Sequence, residues 1–193
     1  MTRIARTLLA GLVLVALAAP AAAQEVSGVL SARPSATASG LADGVTELPF
    51  GAFAYRPESA PPGPRPVIVV LHGSDGKAPR FLDLFRPQAD RCGCMMLALQ
   101  SADWDWDIAA ELVRLQEQGF RGQYEPRFGA DPPRIDAVLR QFFATAPIDP
   151  ERVVLMGFSD GAGYSLSLGL ANPQLFRAIV ALSPGFAKLP ERV

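Results

Sequence analysis

A serine at position 159 stands between two glycines in the run Gly157-Phe158-Ser159-Asp160-Gly161. A hydroxyl can attack a carbonyl carbon when the backbone holds it at the tip of a sharp turn from strand to helix. That turn needs unusual backbone angles and brings neighbouring main chains close, so residues without bulk are required two places on either side of the nucleophile. Gly157 and Gly161 meet this requirement, and Gly163 would let the following helix lie close to a sheet. The first turn of such a helix aims unpaired amides and the positive end of its dipole at the serine. The bare spacing is a weak signal. It gains weight only from an apolar strand before it and a helical pattern after it.

A second chemistry-bearing stretch is His72-Gly73-Ser74-Asp75-Gly76, which follows the apolar run 67–71. Acyl transfer needs two donors aimed at the oxygen on which negative charge develops, and backbone N–H groups supply them without reorganisation. The amide of Asp160, just after the candidate nucleophile, is one. The amide of Ser74, in the small loop after the strand, is the other. An idle strand-end turn is the plainer alternative for this stretch, and it weakens once Ser159 is considered beside it.

These residues need elements to position them. Continuous apolar runs at 67–71, 95–99, 153–156 and 178–182 read as strands covered on both faces. Helical patterns lie between them. Residues 80–91 place Phe81, Leu84, Phe85 and Ala89 on one side. Residues 132–144 place Ile135, Val138, Leu139, Phe142 and Phe143 on one side, with Asp131 as cap and Pro132 in the first turn. Residues 160–171 form the helix after the serine and stop at Asn172-Pro173. An extra amphipathic helix is expected over 107–118, then a surface excursion over 119–129. Strand and helix in alternation predict an α/β fold, a doubly wound and mostly parallel sheet with helices on both faces.

Residues 45–55 read as one short strand. The segment 57–66, with five prolines, reads as a loop that cannot join a sheet. Before these, residues 24–44 are rich in Ser, Ala, Thr, Gly and Pro and read as a linker or loosely held lead-in. Residues 1–23 carry Arg3 and Arg6, then an unbroken apolar stretch, then Ala21-Ala22-Ala23. That is the order of a secretory signal peptide, too short to span a bilayer. Export to the periplasm or beyond is the expectation, with no stable membrane insertion after cleavage. The single domain is then 45–193.

The formal net charge is −1, and no basic run or stripe exists, so nucleic acid is a poor partner. Cys92 and Cys94 flank a glycine. A bridge so short in sequence is strained, and the pair reads as two thiols at the start of a buried strand. No His, Cys, Asp or Glu spacing suggests a metal, and no cofactor is expected.

Taken together, His72-Gly73 after an apolar strand, Gly157-Phe158-Ser159-Asp160-Gly161, and Leu182-Ser183-Pro184-Gly185 after the next strand resemble a known group. They are similar to the phospholipase/carboxylesterase and polyhydroxybutyrate-depolymerase-like esterases of the α/β-hydrolase superfamily. The resemblance runs from about Val45 to Phe186. It implies an α/β-hydrolase fold, attack of Ser159 on an ester carbonyl, and an oxyanion hole from the amides of Ser74 and Asp160. It also implies that the segment 101–107 lies on the substrate side, with Trp106 as a pocket residue or, equally, a loop anchor. The family's chain order is Ser, then Asp or Glu, then His. No histidine follows Ser159, and the sole histidine, His72, occupies a position that is structural in relatives. The expectation is a serine carboxylic-ester hydrolase whose chain here is a fragment lacking its last two strands and the triad Asp and His. The alternative is a catalytically inactive binding remnant. A small-molecule or oligomeric ester is the implied partner, and which ester is not legible.

Overall fold

The computed structural model describes residues 26–58 and 62–189. The expected signal peptide and its cleavage point lie outside the described residues. The strands are β1 (Gly44–Leu48), β2 (Ala52–Arg56), β3 (Arg65–Leu71), β4 (Met95–Leu99), β5 (Ile148–Phe158) and β6 (Ala178–Leu182). The helices are α1 (Ala78–Cys92), α2 (Asp107–Glu117), α3 (Asp131–Thr145) and α4 (Asp160–Leu170). One sheet holds the strands in the order β1-β2-β4-β3-β5-β6. β4, β3, β5 and β6 run parallel, while β1 and β2 are antiparallel additions at one side.

The apolar runs form strands because both faces are covered. Val67, Val69 and Leu71 of β3 point with Met95, Leu97 and Leu99 of β4 into the core under α2, α3 and α4. Val70, Met96 and Ala98 point to the opposite face, under α1. The core of α3 is the expected one, with Ile135, Val138, Leu139, Phe142 and Phe143 all buried. On α1 the buried line is Ala78, Leu82 and Ala89, flanked by Phe81 and Phe85, whereas Leu84 is exposed. The true stripe runs one residue away from the Leu84 expected on it.

Four expectations need correction. The segment 57–66 does not stay wholly outside the sheet: β3 begins at Arg65, which pairs with Ile148 and whose amide donates to Pro147 O (2.8 Å). The single strand expected over 45–55 is a hairpin, because Pro49 lacks an N–H and Gly51 admits the left-handed angle (φ 73°) at which the chain reverses. The lead-in is not loosely held. Leu30, Ala32 and Leu41 are buried, and the Asn172 side chain donates to Gly28 O (2.8 Å) and accepts from Leu30 N–H (2.7 Å). The Asp136 carboxylate accepts the amides of Ser31 and Ala32, both at 2.8 Å. Small and polar residues hid this segment, since side chains far along the chain satisfy its backbone. Lastly, Cys92 and Cys94 are joined by a disulfide rather than left as thiols. Gly93 ends α1 in the left-handed region (φ 61°) and turns the chain so that the two Cα atoms lie 5.2 Å apart, a bridging distance.

The sheet order sets the location of function. From β3 the chain crosses through α1 to β4 on one side, and later returns through α2 and α3 to β5 on the other. The connections leaving the carboxyl ends of β3 and β5 therefore diverge to opposite faces, since α1 and α4 lie on different sides. The crevice between two such ends is where open α/β sheets bind ligands. Leu71 pairs with Gly157 at that edge.

Asn172→Ala is expected to cost about 2–3 kcal/mol, because it strips partners from buried backbone groups of the lead-in. Urea denaturation, with limited proteolysis inside 26–44, checks this. Asp43→Ala, which removes only a half-exposed ion pair to Arg56, should shift stability by less than about 1 kcal/mol.

Candidate active site

Ser159 occupies the junction between β5 and α4 with φ 53° and ψ −116°, a conformation that L-residues rarely adopt. The turn is fixed from both sides. Ser159 N–H donates to Leu182 O of β6 (2.9 Å), and Ser159 O accepts from the amides of Ala162 (3.0 Å) and Gly163 (3.2 Å). Neighbouring backbone leaves no room for side chains at the flanking glycines. A Cβ on Gly157 would lie 2.0 Å from Gly161 O, and one on Gly161 would lie 2.2 Å from His72 O. A Cβ on Gly163 would meet Phe186 O at 2.2 Å. The glycines thus bring the serine turn against the end of β3.

The loop after β3 lies directly beside this turn. A Cβ on Gly73 would stand 3.3 Å from Ser159 Cβ. In that loop the amides of Asp75 and Gly76 are committed, to Trp104 O (3.0 Å) and Gly73 O (2.9 Å). The amide of exposed Ser74 has no such acceptor among the described residues. The Asp160 amide is the first of α4, where no intrahelical carbonyl is available to it.

His72 is wholly buried. Its Nδ1 pairs with Gly73 O (2.8 Å), and its Nε2 accepts the Ser101 amide (3.2 Å). That pattern places the proton on Nδ1 and leaves neither nitrogen for a serine hydroxyl. Burial pushes its pKa down, so the ring is neutral near pH 7. Above it, the Trp106 indole donates to His72 O (2.8 Å) and lies 5.0 Å from the imidazole, with the Tyr164 ring stacked 5.1 Å beyond. Trp106 has 0% exposure, which corrects the expectation that it lines a pocket: it anchors the loop. The exposed aromatic rings in this part of the chain are Trp104 and Phe158.

A set of carboxylates organises this edge of the sheet. Asp160 Oδ2 accepts the Trp106 amide at 2.8 Å. Asp131 accepts the amides of Ala102 (2.6 Å) and Asp107 (2.8 Å), and Asp107 Oδ2 accepts those of Asp131 (2.9 Å) and Gly129 (2.8 Å). The two aspartates thus cap each other's helices. Asp131 does not cap α3, as expected from sequence; it is inside the helix and holds the N-terminus of α2 instead. Burial of so many carboxylates raises their pKa values. Burial, then the neighbouring Asp105, Asp131 and Asp107, push Asp160 to about 7, against the Trp106 hydrogen bond. Burial and Asp107 push Asp131 to about 6. No motif marks these partners, since the aspartates are far apart in sequence and meet only through the fold.

A cleft of about 750 Å³ borders the same loop, lined by Asp103, Asp105, Asp107, Glu111 and Arg114 among others, but not by Ser159. Among the described residues no group of three His, Cys, Asp or Glu is arranged to hold a metal ion.

The sheet order and the strand–serine–helix turn define an α/β-hydrolase. Residues 97–193 match the phospholipase/carboxylesterase family, half of the chain, and the chain belongs to that family. It is 26% identical over 147 residues to NocK of Nocardia uniformis subsp. tsuyamanensis, a protein named as an esterase, covering 72% of this chain and 40% of that one. The crystal structure of LpqC, a poly(3-hydroxybutyrate) depolymerase of Bordetella parapertussis, aligns with a TM-score of 0.51 at 28% identity. The alignment covers 69% of this chain and 46% of LpqC. An acetyl xylan esterase of Aspergillus awamori shares the fold (TM-score 0.52, 16% identity), over 72% of this chain and 49% of that one. The chain therefore spans less than half the length of these relatives.

Gly161→Ala is expected to destabilise the domain by about 3 kcal/mol or more, because its methyl group meets fixed backbone oxygens. Exposed Gly185, with nothing within 4 Å of a Cβ, should tolerate alanine within about 0.5 kcal/mol. Denaturant unfolding distinguishes the two. Because Asp160 binds its proton more tightly folded than unfolded, its contribution to stability is fully present below about pH 4 and is lost as pH rises to about 7. Asp160→Asn keeps an acceptor for Trp106 but has no such loss. Its unfolding free energy should gain on that of the wild type between pH 4 and 7, and parallel pH profiles would contradict the assignment.

Proposed function

We propose that the protein hydrolyses carboxylic esters through an acyl-enzyme at Ser159. Ser159 Oγ attacks the ester carbonyl carbon as a base takes the hydroxyl proton. The carbonyl π electrons move to oxygen, where the amides of Ser74 and Asp160 stabilise the charge. Collapse of the tetrahedral species breaks the ester C–O bond, and the leaving alcohol takes the proton. Water then repeats the sequence on the acyl-enzyme and restores the serine. The observation that carries this reading is the positive φ of a serine wedged between glycines at the switch point of the sheet. Membership of the phospholipase/carboxylesterase family supports it.

The base is not His72, whose ring nitrogens are both engaged. That observation favours a second reading, in which this chain binds an ester-like ligand without turnover. A serine without its base retains only a small residual rate from the oxyanion site and binding. Small-molecule or oligomeric esters are the proposed substrates, and the N-terminal sequence supports export to the periplasm or beyond.

A fluorophosphonate probe separates the two readings. Covalent labelling that maps to Ser159 and vanishes in Ser159→Ala is expected from the esterase. The alanine variant should retain the wild-type unfolding profile. Absence of labelling at every pH from 6 to 9 would leave the binding reading standing.

A further inference from the structure

The main-chain donors of the site come from two loops that are distant in sequence, and something must hold them in register. We infer that the Asp160 carboxylate is a positioning residue, which locks the loop carrying Ser74 to the nucleophile turn by way of the segment 101–107. This inference rests on the esterase reading above for its catalytic consequence, although the tether itself does not.

The connections form a short chain of hydrogen bonds. Asp160, the residue after the serine, accepts the Trp106 amide at 2.8 Å. The Trp106 indole reaches back to His72 O at 2.8 Å. Two residues earlier, Trp104 O accepts the Asp75 amide at 3.0 Å, and Asp75 is the neighbour of Ser74. The Ser101 amide fixes the His72 ring at 3.2 Å. The 72–76 loop is therefore held at three points by 101–106. That segment is held at its far side by Asp131, through Ala102 and Asp107. Asp160 carries the hydrogen bond from the serine turn itself to this assembly, while Tyr164, further along α4, adds a longer bond to Asp107 Oδ2 (3.3 Å) and its ring stack on Trp106. Asp75 sits at φ 55°, so the loop it occupies needs such support to keep its shape.

A charge is not placed here for pairing. Among the described residues no ion pair to Asp160 is seen, and its neighbours Asp105, Asp107 and Asp131 are all acidic, which makes a half-buried carboxylate costly at this point. A tolerated cost of this kind is accounted for if the carboxylate serves as an acceptor that nothing else in the turn supplies. One residue then has two duties: its amide is one oxyanion donor, and its side chain aligns the other. Sites gain rate from donors fixed before the reaction starts, so loosening one of them should be visible in the rate.

The test uses the wild-type chain, Asp160→Ala and Asp160→Asn, each checked for cooperative unfolding. Two quantities are read: the second-order rate of fluorophosphonate labelling at Ser159, and hydrogen-exchange protection of the amides of Trp106 and Asp75. Asp160→Ala should lower labelling by about tenfold or more and remove protection at both amides, while amides of β3 and β4 stay protected. Asp160→Asn, which can still accept the Trp106 N–H, should restore protection and bring labelling to within about threefold of wild type. Wild-type labelling rate with intact Asp75 protection in Asp160→Ala would overturn the inference. If the wild-type chain is not labelled, the esterase reading for this chain fails. The exchange measurement then decides the tether alone: protection of Asp75 lost in the alanine variant and restored in asparagine supports it, and any other result refutes it.

Discussion

The site depends on the contact between two backbones. The turn at Ser159 runs so close to the end of β3 that hydrogen atoms are all that can stand between Gly161 and His72 O. Such an approach is possible only where the chain leaves the sheet sharply, and the chain leaves sharply only because Ser159 accepts a positive φ. The strain is over-determined by hydrogen bonds on both flanks, to Leu182 on one side and from α4 on the other. A strained residue held in this way has a helix N-terminus and a glycine loop next to it. The sheet order supplies the remaining condition, because α1 and α4 depart to opposite faces and leave the crevice open.

Around this contact the fold draws carboxylates away from water. Asp107 and Asp131 exchange amide hydrogen bonds between the starts of two helices, and Asp160 joins the serine turn to the same assembly. Carboxylates withdrawn from water are costly, and the raised pKa values of buried Asp131 and half-buried Asp160 express that cost. What they gain is position. Buried loops carry backbone amides that water cannot satisfy, and a carboxylate can satisfy two of them at once. His72, Trp106 and Tyr164 fill the space between as a stack of rings. The fold thereby converts three loops of ordinary composition into one rigid edge.

Much of this was legible in the sequence where local signals decide. The four apolar runs became four parallel strands, and α3 buried the five residues its periodicity marks. Gly157 and Gly161 were legible because a missing side chain is itself a signal. Contacts that form only in three dimensions were not. Trp106 could be read as pocket or anchor until its indole was seen to bond His72 O. Asp131 reads as a cap because it precedes two prolines, yet its carboxylate serves the neighbouring helix. The lead-in looks like a linker since its partners, Asn172 and Asp136, lie more than a hundred residues away. The hairpin at 44–56 was concealed by alternation that continues across Pro49 and Gly51.

The proposed mechanism requires the amides of Ser74 and Asp160 to converge on the oxygen of a group attached to Ser159. A crystal structure of the Ser159–phosphonate adduct measures this directly. The phosphoryl oxygen is expected within about 3 Å of both nitrogens. An adduct whose oxygen points to solvent, or to donors other than these two, would contradict it.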